Sequence, residues 1–175
     1  MTSDLRCFVA LRPDPACAAA LEALARSLAR RNVPARVVDR GNLHLTLAFI
    51  GALDAARAPA IVAALATLPA LSGAWNLDRV GAFTAARVIW AAGAPQPQLF
   101  ELAARVRHAL HAQGVAFDRR AFVPHVTLLR GPSAALDEAL PVPIAWRLGP
   151  AELLVSARDA GHRLRYRPWS ATPPA

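Results

Sequence analysis

The stretch Asn42–Leu47, with the sequence NLHLTL, places a histidine and a threonine two residues apart in an apolar run. Side chains on a β-strand alternate between its two faces, so His44 and Thr46 are predicted to share one face. The leucines between them then point to the opposite face and pack into a core. The sequence therefore predicts a strand that displays an imidazole and a hydroxyl on the side away from its hydrophobic anchor.

The same pattern returns at Pro124–Leu129, with the sequence PHVTLL, where His125 and Thr127 are again two residues apart. A single His-x-Thr motif is uninformative, because ordinary strand composition produces it often. Two copies, in a chain with five histidines, favour a functional interpretation. Each copy follows a long predicted helix, so we expect a duplicated unit with two lobes and a pseudo-twofold axis.

The composition indicates a folded protein that binds an anion. The chain has 175 residues, of which 55% are hydrophobic and 18% charged, and this supplies enough apolar material for a core. The net charge is +8, and every basic residue is an arginine, whose planar guanidinium suits phosphate oxygens. The absence of lysine is also typical of GC-rich codon usage. We therefore take the net charge as the evidence for an anionic partner such as nucleic acid.

Neither cysteine spacing nor hydropathy indicates a secreted or membrane protein. Cys7 and Cys17 are too few for a disulfide framework and lack the spacing of a metal site. The first residues show no signal-peptide pattern, and no run of about eighteen apolar residues is free of charge. We expect a soluble cytoplasmic monomer.

The predicted elements mix helices with antiparallel strand pairs, which indicates the α+β class. We expect one two-lobed domain over residues 1–170 and a frayed tail over 171–175. Residues 132–143 are expected to form a proline-rich connection. Alternating apolar residues predict strands at 6–11, 36–39, 43–50, 75–83, 87–92, 122–129, 144–148, 153–157 and 163–169. Helical periodicity predicts helices at 15–31 and at 97–114, and between them a helix that either has a distorted first turn after Asp54 or begins near Ala58.

Two opposed histidines provide what an in-line displacement at phosphorus requires. If the motif strands face one another across a cleft, His44 and His125 lie on opposite sides of a bound group. A histidine pKa near 6.5 allows one to be neutral and the other protonated. One then takes a proton from the attacking oxygen and the other protonates the leaving oxygen. Thr46 and Thr127 can donate hydrogen bonds to the non-bridging oxygens. The residues alone do not decide which histidine has which role.

A metal site is the less favoured interpretation of these histidines. Zinc held by His44 and His125 needs at least one further ligand, and none is suitably spaced. His108 and His111 fall away from the apolar stripe of their helix, so we expect them to be solvent-exposed. His162, in a predicted turn, is also expected at the surface.

Arg130 follows the second motif and is a natural phosphate-binding residue. Strict alternation, however, places it on the face opposite His125, so it reaches the site only if the strand is bulged or ends there. The sequence does not decide whether the Phe8 side chain packs in the core or lines the site. The tryptophans are expected to fill the core or the interface between the lobes rather than to stack on bases; they are Trp75, Trp90, Trp146 and Trp169.

With these motifs the chain resembles the two-histidine (2H) phosphoesterase superfamily, and within it the RNA 2′,3′-cyclic phosphodiesterases, historically called 2′-5′ RNA ligases. The resemblance covers most of the chain. Its segments are an opening strand at 6–11, a first H-x-T-x block at 42–51, a hairpin over 81–90 and a second H-x-T-x block at 122–130. Residues 156–159 match the family's Ser-x-Leu stretch only loosely.

The resemblance implies a bilobal fold in which two pseudo-twofold-related antiparallel sheets, with helices packed outside, enclose a central cleft. It implies metal-independent hydrolysis, without a cofactor, of a terminal 2′,3′-cyclic phosphate of RNA to a 2′-phosphomonoester. By that match His44 is the proton donor to the leaving oxygen and His125 is the proton acceptor. The alternatives are 2′-5′ RNA ligation, cleavage of a cyclic nucleotide, and a non-catalytic module that binds RNA ends.

Overall fold

The computed structural model describes residues 4–31, 35–131 and 136–170, and these form two antiparallel β-sheets and three α-helices. The predicted α+β class is confirmed; the predicted tail at 171–175 lies outside the described residues. The helices are α1 (Pro15–Ala29), α2 (Ala58–Ala66) and α3 (Pro97–Ala112). The strands are β1 (Asp4–Leu11), β2 (Arg36–Val37), β3 (Leu45–Asp54), β4 (Ala74–Phe83), β5 (Val88–Ala92), β6 (Val126–Arg130), β7 (Asp137–Arg147), β8 (Glu152–Arg158) and β9 (Leu164–Pro168).

The two motif strands belong to different sheets. The strand order is β3-β1-β8-β9 in the four-stranded sheet and β2-β6-β5-β4-β7 in the five-stranded sheet. β3 pairs with β1, and β6 pairs with β5 and with the short β2. The predicted arrangement of one His-x-Thr motif on each of two antiparallel sheets is therefore present.

The helices bind the two sheets to each other. α1 follows β1 of the first sheet but packs against β6 and β7 of the second, whereas α3 follows β5 of the second sheet and packs against β3 of the first. One hydrophobic cluster consequently contains residues of both sheets, among them Leu45 and Leu128 beside the motif threonines. Because both motif strands are anchored in this common core, packing fixes their relative position. Among the described helices, none is long and apolar enough to cross a membrane.

A capping side chain explains where α1 begins. The Asp14 carboxylate accepts hydrogen bonds from the Ala16 and Cys17 backbone N–H groups at 3.0 and 3.1 Å, so α1 starts directly after it. α1 ends at Ala29, two residues earlier than predicted. The predicted start of the second helix near Ala58 is confirmed, and a short 3₁₀ turn precedes it.

Several predicted boundaries are wrong, and two of them have a clear physical reason. Residues 137–143 are not a connection, because β7 runs through Pro141 and Pro143. β7 is an edge strand, and its pairing with β4 is interrupted around these prolines, which therefore need not donate to the sheet. β3 continues past Gly51 to Asp54, because a φ of +84° at that glycine and a register shift beside it keep the strand paired with β1.

Asn42 attaches the last hairpin to the segment that leads into β3. Its side chain is 8% exposed. Its Nδ2 donates to the Leu164 carbonyl oxygen at 2.8 Å, and its Oδ1 accepts from the Tyr166 backbone N–H at 2.9 Å. This buried amide is therefore paired on both sides, and it holds β9 beside the first motif.

Replacing Asn42 by alanine is expected to lower the free energy of unfolding by about 1–3 kcal/mol, because the Leu164 carbonyl and the Tyr166 N–H lose their partner in a buried place. Denaturant unfolding of Asn42→Ala measures this, with Asn76→Ala as the control at an exposed asparagine on β4. Equal shifts of the two midpoints would contradict the anchoring role.

Candidate active site

Each motif histidine lies one residue before its strand, and not within it as predicted, because β3 begins at Leu45 and β6 at Val126. Each is held by the backbone two residues earlier. Nδ1 of His44 is 2.7 Å from the carbonyl oxygen of Asn42, and Nδ1 of His125 is 2.7 Å from the carbonyl oxygen of Val123. A carbonyl oxygen only accepts, so the proton of each neutral ring is assigned to Nδ1. The Nε2 atom of each ring is left free for chemistry.

Aromatic side chains fix the orientation of both imidazoles. Phe8 packs against His44 with ring centroids 4.7 Å apart, and Tyr166 meets the same ring edge-on at 5.1 Å. Phe83 meets His125 edge-on at 5.0 Å. Phe8, which the sequence left ambiguous, therefore supports the site from the core. His44 is enclosed from two directions and His125 from one.

β3 contains a one-residue bulge directly after its threonine. Thr46 is paired with Ala10, whereas Ala48 is already paired with Val9, so Leu47 has no partner on β1. Leu47 and Ala48 are both buried although they are consecutive. The alternation of faces is reversed beyond this point.

β6 contains the same bulge at the corresponding place. Thr127 is paired with Trp90 and Leu129 with Ile89, so Leu128 has no partner on β5. Leu128 and Leu129 are again consecutive buried residues. The two motif strands thus share the spacing of histidine, threonine and bulge.

The bulges bring the residue three positions after each threonine back to the threonine face. That residue is Phe49 on β3 and Arg130 on β6, and both line the cleft. Strict alternation had placed Arg130 on the opposite face; this expectation is corrected by the bulge at Leu128. The two halves of the site therefore differ at equivalent positions, with an aromatic ring on one side and a guanidinium on the other.

The cleft has two compartments that meet at the motif residues. The first, a cavity of about 400 Å³, is lined by both histidines, both threonines and Arg130, so the structure brings together all five predicted site residues. We call it the aromatic compartment because Phe49, Phe83 and Phe122 also line it.

The second compartment, of about 550 Å³, shares His44, Thr127 and Arg130 with the first. We call it the basic compartment; its remaining arginines are Arg36, Arg158 and Arg163.

Both histidines are neutral in the empty cleft at neutral pH. Burial lowers the pKa of His44 to about 4, with smaller effects from Arg130 and His125, while the hydrogen bond to the Asn42 carbonyl acts in the opposite direction. Burial also lowers the pKa of His125, and Arg130 adds to this against the Val123 carbonyl. A bound anion opposes these effects, since it stabilises the protonated ring.

The other histidines lie apart from this chemistry. His108 and His111 are exposed on α3, and the exposed His162 lines the basic compartment. Within the described residues, no group of three or more histidine, cysteine or carboxylate side chains is arranged to hold a metal ion. A zinc site at His44 and His125 thus has no third ligand in this part of the chain.

Sequence reasoning missed the residues that reach the cleft from other strands. Tyr166 comes from β9 and Arg36 from β2, and only strand pairing brings them to the motifs. The one available signal was the high arginine content of the last hairpin. Of the tryptophans, Trp75 and Trp146 are buried in the core, with ring centroids 6.1 Å apart.

Sequence comparison places the chain among known phosphoesterases. Residues 11–90 match the family model described as LigT like Phosphoesterase. An RNA 2′,3′-cyclic phosphodiesterase of Escherichia coli (strain K12) is 33% identical over 143 residues, which cover 78% of this chain and 80% of that protein.

Structural comparison agrees. A crystal structure of E. coli LigT complexed with 3′-AMP matches with a TM-score of 0.80 at 26% identity, covering 96% of this chain and 97% of that one. A crystal structure described as a phosphoesterase matches with a TM-score of 0.81 at 27% identity, with the same coverage. With a paired His-x-Thr cleft, a relative of this identity and coverage, and a shared fold, the chain belongs to the LigT-like phosphoesterase family.

Proposed function

We propose that the protein is a metal-independent RNA 2′,3′-cyclic phosphodiesterase that converts the cyclic end to a 2′-phosphomonoester. The observation that carries the proposal is the pair of imidazoles in one cleft, each with Nδ1 bound to a backbone carbonyl and Nε2 free. Three related proteins, one of them the E. coli protein described above, are named RNA 2′,3′-cyclic phosphodiesterase, and this name supports the same substrate.

In this reaction one histidine activates water and the other protonates the leaving oxygen. His125, which is enclosed on fewer sides, accepts a proton at Nε2 from a water molecule that attacks phosphorus. The bond from phosphorus to the 3′ oxygen breaks, and His44 gives its Nε2 proton to that oxygen. The phosphate stays on the 2′ oxygen, and proton exchange with solvent restores both rings. This assignment of roles follows the family resemblance.

The remaining site residues stabilise the charge that grows on phosphorus oxygens. Thr46 and Thr127 donate from opposite walls to the two non-bridging oxygens. Arg130 supplies a fixed positive charge beside them, in a geometry suited to phosphate.

Substrate binding supplies the charge that the free cleft lacks. In the empty cleft the donor histidine is neutral, because burial lowers its pKa to about 4. The cyclic phosphate carries a negative charge, which raises the pKa of His44 and favours proton uptake as the complex forms. A donor with a low intrinsic pKa then releases its proton readily to the leaving oxygen.

The aromatic compartment is suited to the terminal nucleoside. Phe49, Phe83 and Phe122 offer aromatic faces or edges beside the histidines, and bases of any identity stack on aromatic rings. A non-catalytic role in binding RNA ends is disfavoured, because such a module needs neither free Nε2 atom. Ligase activity, a monomeric state and a cytoplasmic location stay predictions.

Removing either Nε2 is expected to lower kcat on an oligonucleotide with a 2′,3′-cyclic phosphate by about 10²–10⁴-fold, since each proton transfer contributes about that much. The assay compares His44→Ala and His125→Ala with the parent protein in EDTA, and identifies the phosphate position in the product. His111→Ala, at an exposed histidine on α3, is the matched control.

Parent-like turnover by either cleft variant would contradict the two-histidine mechanism. Loss of parent activity in EDTA, with recovery on adding a divalent metal, would contradict metal independence.

The pH dependence follows from the lowered histidine pKa values. Because kcat/KM reports the free enzyme, its optimum is expected below pH 6.5, the ordinary histidine pKa. Because bound phosphate raises the pKa of the donor, the alkaline limb of kcat is expected at higher pH than that of kcat/KM. Rate profiles between pH 4 and 9 measure both. A kcat/KM optimum above pH 7 would exclude this electrostatic account.

The variant Arg130→Gln tests whether the Arg130 guanidinium contributes to the lowered pKa values of the two histidines. The guanidinium lowers the pKa of both histidines, so its removal is expected to move the kcat/KM optimum to higher pH while the maximal rate falls. Arg105→Gln removes an equal charge from an exposed position on α3 and should leave the profile in place. An unmoved optimum in Arg130→Gln would show that this guanidinium does not act on the histidines.

A further inference from the structure

Two arginines lie directly opposite each other on neighbouring strands at the edge of the cleft. Arg36 on β2 is the register partner of Arg130 on β6, and both line the basic compartment. Directly opposed residues of an antiparallel pair are about 5 Å apart, and like charges in this position destabilise the pairing. Among the described residues, neither guanidinium has a carboxylate within ion-pair distance. An anion at each guanidinium, the reacting phosphate at Arg130 and a second anion at Arg36, would offset the repulsion.

The opposite wall of the basic compartment adds further positive charge. Arg158 and Arg163 flank the β8–β9 turn and line this compartment. Arg158 donates to the His162 carbonyl oxygen at 2.8 Å, and its guanidinium forms no ion pair with a carboxylate among the residues that the structure describes. The Arg163 side chain forms no ion pair within the described part of the chain.

Nearby carboxylates are already engaged elsewhere. Asp39, the one acidic side chain among the lining residues, is bonded to Arg165. Arg165 also binds Asp159, at 2.8 Å. The compartment therefore has four lining arginines against one carboxylate, and that carboxylate is paired with a fifth arginine.

The position of this compartment relative to the reacting centre indicates which anion it takes. Both compartments meet at His44, Thr127 and Arg130, where the cyclic phosphate reacts in the proposed function. In a nucleotide the carbon that carries the 5′ group is bonded directly to C3′, so a phosphate on the 5′ oxygen of the terminal nucleoside stays close enough to the reacting phosphate to enter the adjoining compartment. The next phosphate of an RNA chain is attached to that oxygen.

We propose that the basic compartment binds the phosphate on the 5′ oxygen of the terminal nucleotide, with Arg36 and Arg163 as specificity-determining residues. In an RNA chain this group is the last internucleotide phosphate. The enzyme thereby prefers the end of an oligonucleotide to a free nucleoside cyclic phosphate. This inference rests on the proposed function.

The test compares three substrates that share one reacting group. They are adenosine 2′,3′-cyclic phosphate, its 5′-phosphorylated form, and the dinucleotide ApA with a terminal 2′,3′-cyclic phosphate. The parent is expected to have a kcat/KM about tenfold or more higher on the two substrates with a 5′ phosphate, as for a charge-assisted contact. The salt dependence of kcat/KM, as a log–log slope, should be steeper by about 0.7 for the dinucleotide than for the nucleoside.

The variants Arg36→Gln and Arg163→Gln are each expected to reduce this preference toward the nucleoside value, while kcat/KM on adenosine 2′,3′-cyclic phosphate changes less than about twofold. Arg105→Gln is the matched control and should keep the full preference. Arg36→Gln should also unfold at the same or a higher temperature than the parent, because it removes the repulsion from Arg130. A purely structural role of Arg36 would lower the unfolding temperature.

Equal kcat/KM on all three substrates, or an equal loss on all three in the variants, would overturn the subsite. A preference confined to the dinucleotide and insensitive to both variants would overturn it as well, since the second base and not the phosphate would then be recognised. If the parent turns over none of the three substrates, the proposed function itself fails, and this outcome is distinct from the others.

Discussion

The hydrogen bond from each motif histidine to the carbonyl oxygen two residues before it is the constraint on which the site depends. It is 2.7 Å long in both halves, and it assigns the Nδ1 proton of His44 and of His125. Without it, either ring could turn its protonated nitrogen toward the phosphate and lose the lone pair that a base needs. Because both rings are fixed in the same way, the difference in their roles must come from their surroundings and from the charge of the substrate.

The surroundings follow from the strands that carry the motifs. A bulge after each threonine reverses the alternation of faces, so that β3 presents Phe49 and β6 presents Arg130 at equivalent positions. An otherwise repeated pair of strands thus gains an apolar wall on one side and a positive charge, of the kind that suits phosphate, on the other. The helices that pack across the two sheets keep these walls at a fixed separation. The geometry of the cleft and the common core are therefore products of the same packing.

The local pattern of the sequence was sufficient for the class of fold and for the paired display of histidine and threonine. It could not decide where Arg130 points, because a bulge is a property of the pairing between two strands. It did not identify Tyr166 or Arg36 as cleft residues, because they arrive from strands distant along the chain. The prolines at 141 and 143 suggested a connection, and only the place of β7 at the edge of its sheet permits them within a strand. Local propensity thus predicted most of the helices and strands, whereas long-range strand pairing determined which side chains come together in the cleft.

The most direct test of this account is a ¹⁵N NMR measurement of histidine protonation in the free protein, with the resonances assigned by His44→Ala and His125→Ala. At neutral pH we expect both rings to be neutral, with the proton on Nδ1 and none on Nε2. Addition of adenosine 2′-monophosphate, the analogue of the product end, should protonate Nε2 of one ring. A proton on Nε2 and a bare Nδ1 in either ring of the empty cleft would contradict the account, since the backbone carbonyl would then not hold that histidine.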